Sequence, residues 1–403
     1  MPKLPSTLLF FLAGLVVHAG NYLTQLLLGR SLGPESFSDF SAVFGIWLLL
    51  EVLTLSVQTI TVSISSENKG AEGSNALIRA ELARITRYGA PVLSILIVLA
   101  SPWIARALKL TCGALPLVLV ACCLPLSLNF AIERGVLQGQ DRLGLLAKSL
   151  LCEVVARVFF TALVLLLGAG VTGAVLALFA SVFVIHHYTV PPKDIPRMRP
   201  LSPRTRELLK TIALSTLALQ LLNLTDLLAI KSVFRVLDAG YFAGFFQLGK
   251  IVLLISSPIY LLLLSRPVRA RLAETNPLSE LLTLTTCALI LSSLVALVFT
   301  VRPELVLILL GEEYRPGLDA LVPISWSAVS LVAITCCINY SIAMDYRRLA
   351  WLALLGGLGQ PLVICLLPCT LVGACWMIFA YRTILMLILF LGILASFSKV
   401  LSY

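Results

Sequence analysis

Apolar residues occupy this chain in long unbroken blocks, without the alternation of a half-buried strand or the one-sided stripe of a soluble helix. Residues 4–29 contain no charge, and the same holds for 88–105, 110–132, 281–301, 320–344 and 349–381. The hydrocarbon core of a bilayer is crossed by roughly 20 mainly apolar residues rising about 1.5 Å each. The blocks therefore predict an all-α integral membrane protein of about twelve transmembrane helices. They lie near 7–29, 37–65, 88–108, 113–133, 143–167, 171–189, 208–231, 239–264, 280–300, 319–343, 350–368 and 372–397. Gly168-Ala169-Gly170 and Pro368-Cys369-Thr370 read as tight turns, and Pro125, Pro258 and Pro361 predict local kinks. Lys3, the apolar stretch behind it and a small residue near Ala19 imitate a secretion signal. The uncharged run continues to Gly29, past the roughly 7–15 residue core of such signals, so it is read as the first span.

Composition agrees. Only 12% of the 403 residues are charged, where a soluble protein carries about 25%, and the mean hydropathy is +1.00. The connecting segments are too short to form a soluble domain. The longest, 191–206, is Pro-rich and basic and reads as a cytoplasmic linker between an N-terminal lobe, 1–190, and a C-terminal lobe, 207–403. With the N-terminus inside, Arg30, Arg106, Lys109, Lys231, Arg235, Arg302 and Arg315 fall on the outer side. Arg157, Lys250 and Arg382 fall within spans, and the remaining twenty of the 30 Lys and Arg, Arg134 among them, fall inside. That positive-inside bias predicts cytoplasmic termini at both ends. The net charge of +10 is then explained by topology and attraction to anionic lipid head groups, without nucleic acid. The ten cysteines and three histidines show no metal-ligand spacing, and Cys122–Cys123 and Cys336–Cys337 read as polarizable packing residues. No cofactor or metal is expected.

The two lobes resemble one another. A shift of 201 residues places Thr24-Gln25-Leu26-Leu27 on Thr225-Asp226-Leu227-Leu228, Arg30-Ser31 on Lys231-Ser232, Phe40 on Tyr241 and Phe44 on Phe245. A shift of 200 places Gly173-Ala174 on Gly373-Ala374. Two pseudo-symmetric lobes of six helices follow, in parallel orientation because six is even, the arrangement in which lobes rock about a substrate site.

Charges within spans are the candidate chemistry. Glu51, Glu153, Arg157, Asp226, Lys250 and Arg382 would each cost roughly 2.5–3.5 kcal/mol facing lipid at mid-membrane, so they must face each other, a wet cavity or a ligand. Glu153 and Arg157 stand i, i+4, equally consistent with an internal ion pair and a substrate role. The others have no partner within a turn of their own span. Polar stripes run along the first span of each lobe, at His18, Asn21 and Gln25 and at Gln220, Asn223 and Asp226. They fit either helix–helix hydrogen bonding or a lined lumen. Arg30 and Lys231 at the outer ends are suited either to an anionic head group or to solvation.

Four short segments resemble the polysaccharide-biosynthesis flippases, O-antigen flippases among them, of the multidrug/oligosaccharidyl-lipid/polysaccharide (MOP) exporter superfamily, whose fold is MATE-like. Residues 28–37, Leu-Gly-Arg-Ser-Leu-Gly-Pro-Glu-Ser-Phe, are similar to the signature after the first span. Asp226-Leu227-Leu228 with Asp238-Ala239-Gly240-Tyr241-Phe242 resembles the opening of the second lobe. Leu310-Gly311-Glu312-Glu313-Tyr314 resembles the loop between spans 9 and 10, and Arg134-Gly135-Val136-Leu137-Gln138-Gly139 the loop after span 4. Ser38-Asp39 departs from the family, which has a glycine and an apolar residue there.

The resemblance implies a transporter, not an enzyme, that flips an undecaprenyl-pyrophosphate-linked oligosaccharide across a bacterial cytoplasmic membrane by alternating access. The product would feed cell-surface polysaccharide or lipopolysaccharide biosynthesis, with a polymerase or glycosyltransferases as partners. Gln25, Arg30, Arg157, Gln220, Asn223, Lys250 and Arg382 are the expected substrate-cavity residues, with the three within-span cations on the pyrophosphate. Glu51 and Asp226 are the expected groups for a coupled H+ or Na+. A MATE-type exporter of small molecules shares the architecture, and a peptidoglycan-precursor flippase is expected to have more spans. A membrane-embedded polymerase or ligase would need a larger outer loop than 302–319, where Glu304, Glu312, Glu313 and Asp319 read as a solvated turn.

Overall fold

The computed structural model describes residues 6–67, 79–82, 84–189, 202–273, 275–344, 346–366 and 370–401. Among these the protein is helical throughout, with no strand. The helices are α1 (Ser6–Glu67), α2 (Ala90–Ala107), α3 (Leu115–Gly139), α4 (Leu143–Leu166), α5 (Gly170–Thr189), α6 (Pro203–Val233) and α7 (Val236–Ile255). They continue as α8 (Ser257–Leu272), α9 (Pro277–Val301), the short α10 (Leu305–Leu310), α11 (Leu321–Ala343), α12 (Arg347–Leu366) and α13 (Leu371–Leu401). A π-helical turn, Ile85–Gly89, leads into α2, and a 3-10 segment, Glu312–Ala320, leads into α11.

Among the described residues, 11 helices are long and apolar enough to cross a membrane. One of them, Leu12–Ser66, has 55 residues. At 1.5 Å per residue it would reach about 80 Å, more than twice a hydrocarbon core of roughly 30 Å. It holds the first two expected spans, parted by a kink at Gly33 (φ 69°, ψ 170°) followed by Pro34. Large apolar side chains cover the outside: Leu166 is 86% exposed and Trp103 67%. Such a surface is stable in hydrocarbon and costly in water.

The chain divides into two compact units. The first comprises Met1–Leu32 and Val43–Thr216, the second Gly33–Ala42 and Leu217–Tyr403. Val57, Leu82, Ala90, Leu124, Leu128 and Ile132 form a core cluster in the first.

Several boundaries differ from the hydropathy reading. The span expected to end at residue 133 continues to Gly139, so Arg134-Gly135-Val136-Leu137-Gln138-Gly139 is helix, not loop. Its two glycines let α1 approach closely: a methyl on Gly135 would meet Thr61 and the Gln58 carbonyl, and one on Gly139 Ser65 and the Val62 carbonyl. This is small-residue packing of the kind bilayers favour. The kink expected at Pro258 is a break at Ser256 between α7 and α8, whereas α3 and α12 run through Pro125 and Pro361. The turn 168–170 is present, with Gly168 and Gly170 at φ 64° and 58°. Most of the expected linker 191–206, and residues 368–369 of the second turn, lie outside the described residues. Residues 203–206 are the first turn of α6, where Ser202 accepts a hydrogen bond from the Thr205 amide (3.1 Å).

Candidate functional site

The six within-span charges fall into two groups, each inside its own unit. In the second unit, Asp226 on α6 and Arg382 on α13 form a buried ion pair (3.0 Å). The Arg382 guanidinium also donates to Ser327 Oγ (2.8 Å), Gln360 Oε1 (3.2 Å) and the Leu222 carbonyl (2.7 Å). Asp226 accepts a further bond from the Leu227 amide (2.8 Å). A buried charge is stable only when paired and hydrogen-bonded this way. Gln360 extends the network by donating to Thr225 Oγ1 (3.4 Å).

Lys250 lies beside this pair in a different condition. On α7, Phe242, Phe246 and Lys250 recur every four residues and so share one face. The two rings stack at 5.8 Å, and the Lys250 ammonium sits 4.9 Å from the Phe246 ring centroid, a cation–π contact. Among the described residues it has no hydrogen bond or ion pair. Lys250, Phe242, Phe246, Asp226, Ser327 and Arg382 line a narrow, mostly apolar cavity with room for about one water. With one carboxylate and two cations its charge is positive.

In the first unit, Glu153 on α4 bridges two arginines, Arg157 (2.5 Å) one turn along and Arg134 on α3 (2.8 Å). Arg157 also donates to Asn21 Oδ1 (2.7 Å), and its buried Nε has no partner among the described residues. Arg134 donates to Ser149 Oγ (2.9 Å) and the Ser149 carbonyl (3.2 Å), with its guanidinium over Phe130 (4.7 Å). Glu51 feels the charges of Arg157, Glu153 and Arg134, yet makes no ion pair among the described residues.

The remaining expected site residues are scattered. Gln25 is buried and Arg30 exposed, while Gln220 and Asn223 are half-buried. Asn223 spends its amide on the Leu219 carbonyl of its own helix (2.7 Å). Of the first-span stripe, His18 is exposed and Asn21 holds Arg157.

Two residues differ outright from expectation. Lys231, expected at a solvated or head-group-binding end, is 1% exposed and bound to Asp39 (2.5 Å) and Ser38 (2.6 Å). The unusual Ser38-Asp39 pair is what allows this burial. Arg134, counted among the cytoplasmic loop charges, is a buried member of the Glu153 group. Sequence reasoning missed it, and missed Gln360 and Ser327. The i, i+3 and i+4 polar spacing of Arg134, Gln138 and the glycines on one apolar helix was the available signal.

Segments that carry the family resemblance meet at one place in the second unit. A methyl on Gly240 would collide with the Pro34 carbonyl, one on Gly244 with the Tyr314 ring, and one on Gly317 with Tyr241. Tyr314 is fully buried against Tyr241 and Phe245. The supposed solvated turn is thus partly built in: Glu312 is exposed and paired with Arg315 (2.7 Å), but Glu313 packs beside Gly33.

No protein-family model and no curated protein matches the sequence. Solved structures do. An inward-facing multidrug resistance MATE family transporter of the MOP superfamily aligns over 94% of this chain and 94% of its own, with TM-score 0.77 at 15% identity. The lipid II flippase MurJ, in an inward closed conformation, aligns over 96% of this chain and 87% of its own, with TM-score 0.75 at 13% identity. A MOP superfamily transporter from Pyrococcus furiosus, described as having a binding pocket of reverse polarity, aligns over 96% and 93%, with TM-score 0.61 at 13% identity. The fold of this chain is the MATE-like fold of MOP-superfamily transporters.

Proposed function

We propose that the protein is a translocase for a lipid-linked oligosaccharide, an undecaprenyl-pyrophosphate sugar, in a bacterial cytoplasmic membrane with both termini cytoplasmic. The observation that carries this reading is Lys250, an ammonium without an ion-pair partner among the described residues, in a positively charged, largely apolar cavity. Such a site favours an anion, which supplies the charge and acceptors the lysine lacks. Phe242 and Phe246, stacked on each other and buried, form the apolar wall beside it. A structural neighbour that is a lipid II flippase adds support. Arg382 has four of its donors committed and holds the carboxylate of Asp226, so the pyrophosphate falls to Lys250. For the coupled H+ or Na+, Glu51 is favoured over Asp226, because Asp226 is already neutralised by Arg382.

The test is flipping of a fluorescent undecaprenyl-pyrophosphate oligosaccharide in proteoliposomes. Lys250→Gln should lower the rate about 10- to 100-fold, the worth of one charged hydrogen-bonding contact, at unchanged protein abundance. Lys250→Arg should retain most of it. The second reading, a MATE-type exporter of small cations, rests on the MATE neighbours. It requires a cavity with a free acid, and it would be favoured if Lys250→Gln left flipping intact and cationic dyes were extruded.

A further inference from the structure

One buried charge pair plays no part in either group above. Lys231, near the end of α6, and Asp39, in α1, are 1% and 0% exposed and 2.5 Å apart, although they lie 192 residues apart in sequence. Ser38 Oγ accepts a second bond from the ammonium (2.6 Å) and itself donates to the Glu35 carbonyl (2.6 Å). The carboxylate and the ammonium sit where water cannot replace either one. Removal of one partner would break a buried ion pair, which is costly.

The place of the pair in the chain gives it meaning. Residues Gly33–Ala42 belong to the second unit, while the stretches before and after them, Met1–Leu32 and Val43–Thr216, belong to the first. This ten-residue piece of α1 is therefore a guest, with no covalent continuity to the rest of its unit. Phe37, Ser38, Asp39, Phe40, Ser41 and Ala42 are all buried. A segment buried on every face is a core element of its unit. At its start the kink at Gly33 and Pro34 abuts Gly240 and Glu313. The ion pair adds a polar constraint on register, since only one rotation of the segment brings Asp39 to Lys231.

We propose that Lys231, Asp39 and Ser38 form a buried clamp that holds Gly33–Ala42 as part of the second unit and sets its register. Flexing of α1 is then placed at the kink at Gly33, the first residue of the segment. Hydrogen exchange of the full-length protein in lipid nanodiscs tests this. The double variant Asp39→Asn, Lys231→Met removes both charges and keeps the side-chain volumes close. It should accelerate exchange of peptides covering 33–42 about tenfold or more, with α4 unchanged. Ser38→Ala keeps the ion pair and removes one bond, so it should give a smaller acceleration in the same peptides even if the double variant fails to accumulate. Wild-type exchange across 33–42 in these variants, or an acceleration spread evenly over all spans, would overturn the proposal.

Discussion

A guanidinium has five N–H donors, and Arg382 uses four of them on Gln360, Ser327, Leu222 and Asp226. Among the described residues Lys250 uses none on an acceptor. The two cations stand side by side in one cavity, and residue type alone does not tell them apart. Their variants should. Arg382→Gln strands the Asp226 carboxylate, and breaking a buried pair in this way costs about 3–5 kcal/mol. Its loss of transport should therefore come with loss of folded protein, read as a lower melting temperature in detergent and reduced monodisperse yield. Lys250→Gln should leave both unchanged. An Arg382→Gln protein as stable as wild type, yet inactive, would return Arg382 to the cargo. At this scale the sequence was only partly legible. That charges inside apolar blocks must find partners follows from desolvation alone. Which partner each one finds does not, because Asp226 and Arg382 are 156 residues apart and Lys231 and Asp39 192.

At the scale of helices, glycine separates packing from propensity. Gly240 of α7 faces the backbone of Pro34, which cannot rotate away, so Gly240→Ala should cost about 1–3 kcal/mol by overpacking. Gly14, in the first arm of α1, has nothing within 4 Å of its missing methyl. There Ala should be neutral or stabilise by up to about 1 kcal/mol through helix propensity. Thermal unfolding followed by tryptophan fluorescence would compare the two. Equal effects would mean that the resemblance segments at Gly33–Pro34 and Gly240 are not held together by close packing. The same helices show why span ends were misread. Hydropathy placed the end of α3 at the charges Glu133 and Arg134, on the premise that charge marks a loop. Glu133 instead binds Arg79 through two hydrogen bonds (2.7 and 2.5 Å) and Arg134 binds Glu153, so the helix continues to Gly139. For the long apolar blocks of α4, α5 and α9 the expected and observed limits differ by a few residues.

For the whole molecule, the useful distinction is that each unit carries its own set of buried charges and that the two sets differ in kind. The second unit offers Lys250, a cation with no ion-pair partner among the described residues. In the first, Arg134, Glu153 and Arg157 lie near Glu51, a carboxyl that makes no ion pair among the described residues. If Glu51 takes up the coupled proton or Na+ as proposed, that binding would change the charge of the first unit and leave Lys250 untouched. In a field of 100 mV, moving one such charge across the membrane is worth about 2.3 kcal/mol, enough to bias a conformational equilibrium nearly fiftyfold. Coupling and cargo binding should therefore be separable by mutation. Glu51→Gln, a fixed mimic of the protonated acid, should still let cargo equilibrate between leaflets in proteoliposomes but should not concentrate it when an H+ or Na+ gradient is imposed. Lys250→Gln should lower both activities. If Glu51→Gln still accumulates cargo against its gradient as wild type does, the coupling site lies elsewhere, and the carboxylate serves only to neutralise its arginine neighbours.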